Sequence, residues 1–281
     1  MLLSKPEISE EKLDHNPKLR LMKVPLYRTT TQHQTAPIPL PANRDFFCNP
    51  LTHGLTPEDC SYMASIGMHS QGVNSLSSNN RIWIGSDGPN TFTFINGARD
   101  GASMILIMWY AEENDDQASF MNARRPEISY SLPETGSAVE ISVANGVPGG
   151  WSALYNRATT LTEYGQVSNT FGEFSTGVWA TVDVSRLVNM SGDAMTVRVY
   201  GGEESARKPT APGLKPVCVS DLVTCAYACR GTQVNSCGAT GSYDLINCGG
   251  PNAVSGTDAS GNPNGGCQGW SFGGHIEVVM T

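Results

Sequence analysis

No run of this chain approaches the ~18 consecutive apolar residues that would cross a bilayer as a helix. The longest, residues 104–111 (MILIMWYA), has the length of a buried strand. Charge is scarce too: Asp, Glu, Lys and Arg make up 16% of the 281 residues, and the net charge is −8. Such a chain lacks the basic face that nucleic acid requires and the positive patch that anionic lipid would attract. It contains no G-x-S-x-G, P-loop or dinucleotide fingerprint. The five histidines (His15, His33, His53, His69, His275) include no i, i+4 pair, and no Cys-x-x-Cys occurs. Neither a zinc site nor a catalytic triad is therefore expected, and no cofactor is implied. The acidic run Glu112, Glu113, Asp115 and Asp116 lacks the D-x-[DN]-x-[DN]-G order of a calcium loop and reads as a solvated turn.

Turns are abundant. Thirty glycines and seventeen prolines punctuate short segments of alternating polarity, which argues for an all-β sandwich over a helical bundle. RIWIG and NTFTFIN read as paired strands around Ser86-Asp87-Gly88-Pro89. EISYSL and AVEISVA alternate cleanly on either side of PETG, and WSALYNR, NTFGEF, WATVDVS and MTVRVY continue the series. Two helices are expected. One lies in PEDCSYMASIG, with Thr56 as N-cap and Pro57 at the first helical position. The other spans residues 221–230 and would place Cys225 and Cys229 on one face.

The eight cysteines are unevenly spread. Cys48 and Cys60 bracket one loop, whereas Cys218, Cys225, Cys229, Cys237, Cys248 and Cys267 crowd the last quarter. Without metal-type spacing, these read as disulfides: Cys48 with Cys60, and three bridges among the other six, for which fifteen connectivities exist. Disulfides imply an oxidising compartment, hence a secreted, extracellular protein. The opening MLLSKPEISEEKLDHNPKLRLMKVPL shows no apolar h-region and no small-residue cleavage site. A mature form, a mis-started gene model and another export route all stay open. Residues 1–45, polar and Pro-rich, read as a leader, pro-segment or disordered arm, with a strand on the main sheet as the alternative. Residues 46–201 form the sandwich core, 202–216 a linker, and 217–281 a small disulfide-stapled lobe plus terminal strand.

Three ordered blocks carry a family resemblance. NTFTFINGA resembles the opening F-T-F-x-N strand of the thaumatin-like proteins. SLPETGSAVEISVANGVPGGWSALYNRAT is similar to their L-x-P-G-x-S…I-x-V-P-x-G-W-x-G-R-x-W-x-R-T stretch, and EFSTGVWATVDVS with LVNMSGDAM to their LAEF- and YDVS-type strands and following loop. The resemblance covers roughly residues 90–200. It implies a cleft with one arginine and four acids that binds or weakly hydrolyses β-1,3-glucan. Glu173 and Asp183 match the acids of the two strands, and Arg157 matches the later arginine. The G-R-x-W arginine falls at Ala153, the next cleft acid is replaced by Asn189, and the last acid has no assigned position.

Those losses favour binding over catalysis, since a two-carboxylate glycosidase needs a proton donor and a facing carboxylate. Glu173 and Asp183 are the catalytic candidates; with Arg157 and Asn189 they form the expected ligand site, in a groove between the two β layers. A nearby Arg157 would hold both acids ionised. Tyr155, Tyr164, Phe171, Trp179 and Trp270 are candidate sugar-stacking rings, of which one or two are expected to be exposed. Asn189-Met190-Ser191 is the single glycosylation sequon. The expected function is a secreted, monomeric, thaumatin-like protein that binds cell-wall β-glucan. An effector- or defence-type interaction protein and a weak endo-β-1,3-glucanase are the alternatives. The whole chain resembles fungal secreted variants of this scaffold with a cysteine-rich C-terminal tail.

Overall fold

The computed structural model describes residues 47–111, 124–201, 214–231, 235–237, 242–258 and 261–281. The arm at 1–45, the acidic run at 112–116 and most of the linker lie outside these residues. One helix, α1 (Pro57–Ser65), forms as the sequence predicts: Thr56 is extended and its Oγ1 accepts from the Asp59 N–H at 3.2 Å, with proline opening the first turn.

Two sheets make a sandwich. The first has the order β1 (Ile82–Ile84), β5 (Ala138–Val143), β2 (Asn90–Asn96), β15 (Gly274–Met280), β9 (Met195–Gly201), β10 (Cys218–Asp221). The second runs β12 (Tyr243–Ile246), β11 (Ala226–Cys229), β8 (Thr181–Ser185), β7 (Phe171–Ser175), β6 (Pro148–Tyr155), β3 (Met104–Tyr110), β4 (Ile128–Leu132). A hairpin of β13 (Ala253–Thr257) and β14 (Pro263–Cys267) joins it beside β8. Neighbours are antiparallel except β15 on β2 and β11 on β8.

Period-two alternation sorts the residues between faces. Leu106, Met108, Val182, Val184, Val197, Val199, Ile276 and Val278 fill the space between the sheets. An aromatic cluster sits at its centre: Trp151 meets Phe92, Phe94 and Phe174 at ring centroids 5.4–6.0 Å apart. The unbroken apolar run of β3 is explained by cover on both sides. Met104, Leu106 and Met108 face the sandwich interior, while Ile105, Ile107 and Trp109 pack on the outside with Met63 of α1, Leu154 and Phe171.

Two local expectations are corrected. RIWIG and NTFTFIN do not form a hairpin, because β5 inserts between β1 and β2 and pairs with both. The helix at 221–230 is two strands. Asp221 Oδ1 accepts from the Val223 and Thr224 N–H groups at 2.9 and 2.8 Å, so the side chain that would cap a helix closes a tight turn instead. Cys225 then takes φ +48°, a left-handed value no helix interior has. The cysteine-rich segment has a small cluster of its own, Tyr227, Cys229, Cys237 and Tyr243, and also lends strands to both sheets. β10 and β15 extend the first sheet, β11, β12 and β14 the second, and Ser220 Oγ links them by accepting from Val184 N–H at 2.8 Å.

All eight cysteines are bridged: Cys48–Cys60, and, among the C-terminal six, Cys218–Cys267, Cys225–Cys248 and Cys229–Cys237. The sulfurs of Cys218, Cys225 and Cys267 lie within 4.8 Å of one another, but each is already spent in a disulfide and offers no thiolate to a metal. No helix among the described residues is long and apolar enough to cross a membrane.

Candidate functional site

The sequence FGEFS alternates large apolar and polar residues around a glycine, and that pattern decides where its acid goes. Phe174 faces the inter-sheet core, so Glu173 must point to the other side. Gly172, on the core side with Phe174, leaves room for the indole of Trp151: a Cβ on it would lie 2.0 Å from Trp151 Cζ2. On the neighbouring strand Val182 and Val184 face inward and leave Asp183 on the outer face with Glu173. The register sets the two acids directly opposite each other. Directly opposed residues have Cβ atoms about 4.5–5.5 Å apart, so the carboxyl groups are immediate neighbours.

The surroundings are apolar and aromatic. Along the same row, Glu173 is opposite Gly150 and Gly150 opposite Trp109, whose indole lies over the space a Gly150 Cβ would take. Beyond Asp183 the β14 strand approaches at Gly266, where a Cβ would sit 3.4 Å from that of Asp183. Tyr227, opposite Ser185, donates its hydroxyl to Gly265 O at 3.4 Å and stacks edge-on against Tyr243 with centroids 5.8 Å apart. Asp183 is 5% exposed and Glu173 half-buried. Three buried polar atoms in this region, Asp183 Oδ1, Trp109 Nε1 and Tyr243 OH, have no hydrogen-bond partner among the described residues. Native interiors rarely leave such groups unpaired, and the free acceptor on Asp183 suits a ligand that donates.

Burial raises the pKa of Glu173 to about 7, with a hydrogen bond from the Ser185 hydroxyl pulling the other way. Burial and the charge of Glu173 push Asp183 well above the usual carboxylate range. The expectation that both acids stay ionised at neutral pH is thereby overturned: the pair retains a proton there. The phenols of Tyr227 and Tyr243 are raised as well, first by burial and then by neighbouring negative charge.

A consequence for stability follows. Unfolded Glu173 ionises near 4.5 and folded Glu173 near 7, so between these values the folded chain holds a proton that the unfolded chain has released. Raising the pH through this window therefore lowers Glu173's contribution to stability, and Asp183, also raised, acts in the same direction. Denaturant midpoints measured from pH 4 to 8 are expected to fall less steeply for Glu173→Gln than for the wild type. Parallel profiles would show that the pair is not buried as described.

The remaining expected site residues do not join the acids. Arg157 lies beyond the far end of β6, where its Nε donates to Asp59 Oδ1 at 2.7 Å and anchors α1 to the sheet, with Ser131 on the other carboxylate oxygen. It does not set the ionisation of Glu173 or Asp183. Position 153, where the resemblance would place an arginine, faces the inter-sheet core, opposite to Glu173. Asn189 is half-buried, donates to Ser168 O at 3.2 Å and accepts from Ser191 N–H. A glycan on that nitrogen would have to displace the Ser168 contact. The site itself lies on the outer face of the second sheet, not between the layers.

Among the candidate aromatics, Phe171 and Trp270 are buried, Tyr155 is half-buried, and Tyr164 and Trp179 are exposed. The sequence reading missed Trp109, Tyr227 and Tyr243; only a knowledge of which strands become neighbours could have brought them to the acids. His275 is buried, with Nδ1 2.9 Å from Thr91 Oγ1. A surface crevice lined by Met104, Ala153, Tyr155, Asn169 and Asp193 contains neither acid of the pair. Its one carboxyl already accepts from Asn169 at 2.7 Å.

Fold and site together define a disulfide-stapled all-β sandwich with a directly opposed carboxyl pair on the outer face of one sheet. Comparison with protein-family models and with curated proteins finds no match to this chain.

Proposed function

We propose that this is a secreted protein of thaumatin-like type that binds neutral cell-wall carbohydrate, of the β-1,3-glucan class, at Glu173 and Asp183. The observation that carries the reading is the directly opposed acid pair, with Trp109 on one side, Tyr227 on the other and one oxygen of Asp183 unpaired among the described residues. Sugar hydroxyls donate and accept at once, and a pair that retains one proton does the same. The four disulfides support an oxidising, extracellular setting.

The same geometry argues against efficient hydrolysis. Glycosidase carboxyls flank the scissile bond from two sides, about 5–5.5 Å apart in retaining and 6.5–9.5 Å apart in inverting enzymes. Glu173 and Asp183 instead stand side by side on one face of adjacent strands, not on two sides of a bond. The β-glucanase alternative calls for the two carboxyls to reach opposite sides of a bound glycosidic bond.

Retention on insoluble β-1,3-glucan, with reducing-sugar release measured on the same samples, tests the proposal. Wild type should be retained with negligible release, and Asp183→Asn retained less. Robust sugar release abolished by Glu173→Gln would restore an enzyme. Equal retention of wild type and Asp183→Asn would favour an interaction protein that uses the scaffold without this chemistry.

A further inference from the structure

The turn between the two acid-bearing strands leads to a second feature. It holds a short 3-10 segment, Gly177–Trp179, and the loop before β15 is tied to it: Phe272 N–H donates to Gly177 O and Ser271 Oγ to Val178 O, both at 3.2 Å. Three apolar side chains stand out from this joint. Val178 is 53%, Trp179 37% and Phe272 66% exposed. Phe272 has φ +65°, a left-handed value that is unfavourable for a bulky residue and that a glycine would adopt freely. Strain held at a solvent-facing aromatic contributes nothing to the core, and such strain gathers at functional positions.

The joint's polar groups are neutral. Neither 175–181 nor 268–273 contains a charged residue. Ser175 and Thr181 hydroxyls both donate to Trp179 O, at 2.7 and 3.1 Å, and fix the turn. Ser175 and Thr181 are also the next same-face pair along the strands from Glu173 and Asp183, about 7 Å on. The apolar joint is thus continuous with the acid pair.

We infer that Trp179 and Phe272 form an aromatic platform for the pyranose faces of a neutral polysaccharide whose neighbouring ring reaches the acid pair. This rests on the carbohydrate reading above and assigns it a second subsite. The partner's chemistry follows from the surface. Rings flanked by hydroxyls and an amide, with no charge, match the apolar C–H face and hydroxyl rim of a neutral sugar. An anionic lipid or a charged protein surface would find no counter-charge there. A zwitterionic bilayer and a second copy of the chain remain as occupants for the experiment to detect.

Trp179 gives a clean readout. The other four tryptophans, Trp83, Trp109, Trp151 and Trp270, are at most 3% exposed, so iodide reaches the fluorescence of Trp179 alone. The experiment measures iodide quenching and binding of a soluble β-1,3-glucan oligosaccharide to wild type, Glu173→Gln, Trp179→Ala and Phe272→Gly. Phosphatidylcholine vesicles and protein self-association are parallel arms. The sugar should protect Trp179 in the wild type. Phe272→Gly should keep or raise Tm, since it relieves the strained φ, yet weaken sugar binding about tenfold. Sugar binding that leaves Trp179 fully quenchable, with Phe272→Gly binding as wild type, overturns the platform and leaves the acid-pair reading standing. Protection of Trp179 by vesicles or by a second copy but not by sugar overturns it in favour of that occupant. No sugar binding by wild type overturns both readings.

Discussion

Trp151→Ala is expected to destabilise the protein by about 3–5 kcal/mol, the range for removing a large aromatic from a well-packed core. Trp151 is fully buried and touches Phe92, Phe94 and Phe174, so three rings lose contact at once. The backbone beneath it cannot close the void. Gly172 is a glycine because the indole occupies its side-chain position, and it belongs to the strand that carries Glu173. A shift in the urea midpoint at constant slope would report the loss. A shift under 1 kcal/mol would mean that the aromatic cluster does not pack as described. Gly172→Ala attacks the same contact from the other side and should also destabilise.

The second large effect concerns the bridge from β10 to β14. Cys218–Cys267 ties a strand of the first sheet to the hairpin beside β8 and closes a separation of 49 residues. On chain-entropy grounds, replacing both cysteines with alanine should cost about 4 kcal/mol. The same change at Cys229–Cys237, a separation of 8, should cost about 2.5 kcal/mol. Denaturation of the two double variants side by side tests the order. A larger loss at Cys229–Cys237 would contradict it.

How much of this was legible in the sequence depended on the range of the cause. Local signals held: the Thr56-Pro57 start of α1, the alternation of β7 and β8, and the run of β3 each follow from residues within one element. The Cys48–Cys60 bridge could be read because its partners are near in sequence. Pairing between distant strands could not. β5 separates β1 from β2, and the terminal β15 slots between β2 and β9, through register that no local pattern reports. The misread helix at 221–230 shows a local ambiguity, since an aspartate that accepts two backbone N–H groups starts a helix or closes a turn equally well. At the site, Glu173 and Asp183 were found by strand pattern and resemblance, and the pairing brings them together. Arg157 failed because its partner, Asp59, lies 98 residues away in α1.

The central claim is that Glu173 and Asp183 hold a neutral sugar rather than cleave it. The most direct test is the affinity of soluble β-1,3-glucan for wild type and Glu173→Gln, measured by calorimetry at pH 8, above the Glu173 pKa of about 7, with the reaction monitored for cleavage. A hydrogen bond to a charged group contributes about 1.5–3 kcal/mol, so the account predicts a loss of at least about tenfold in affinity and no cleavage by either protein. Equal affinities, or turnover that disappears with Glu173, would contradict it.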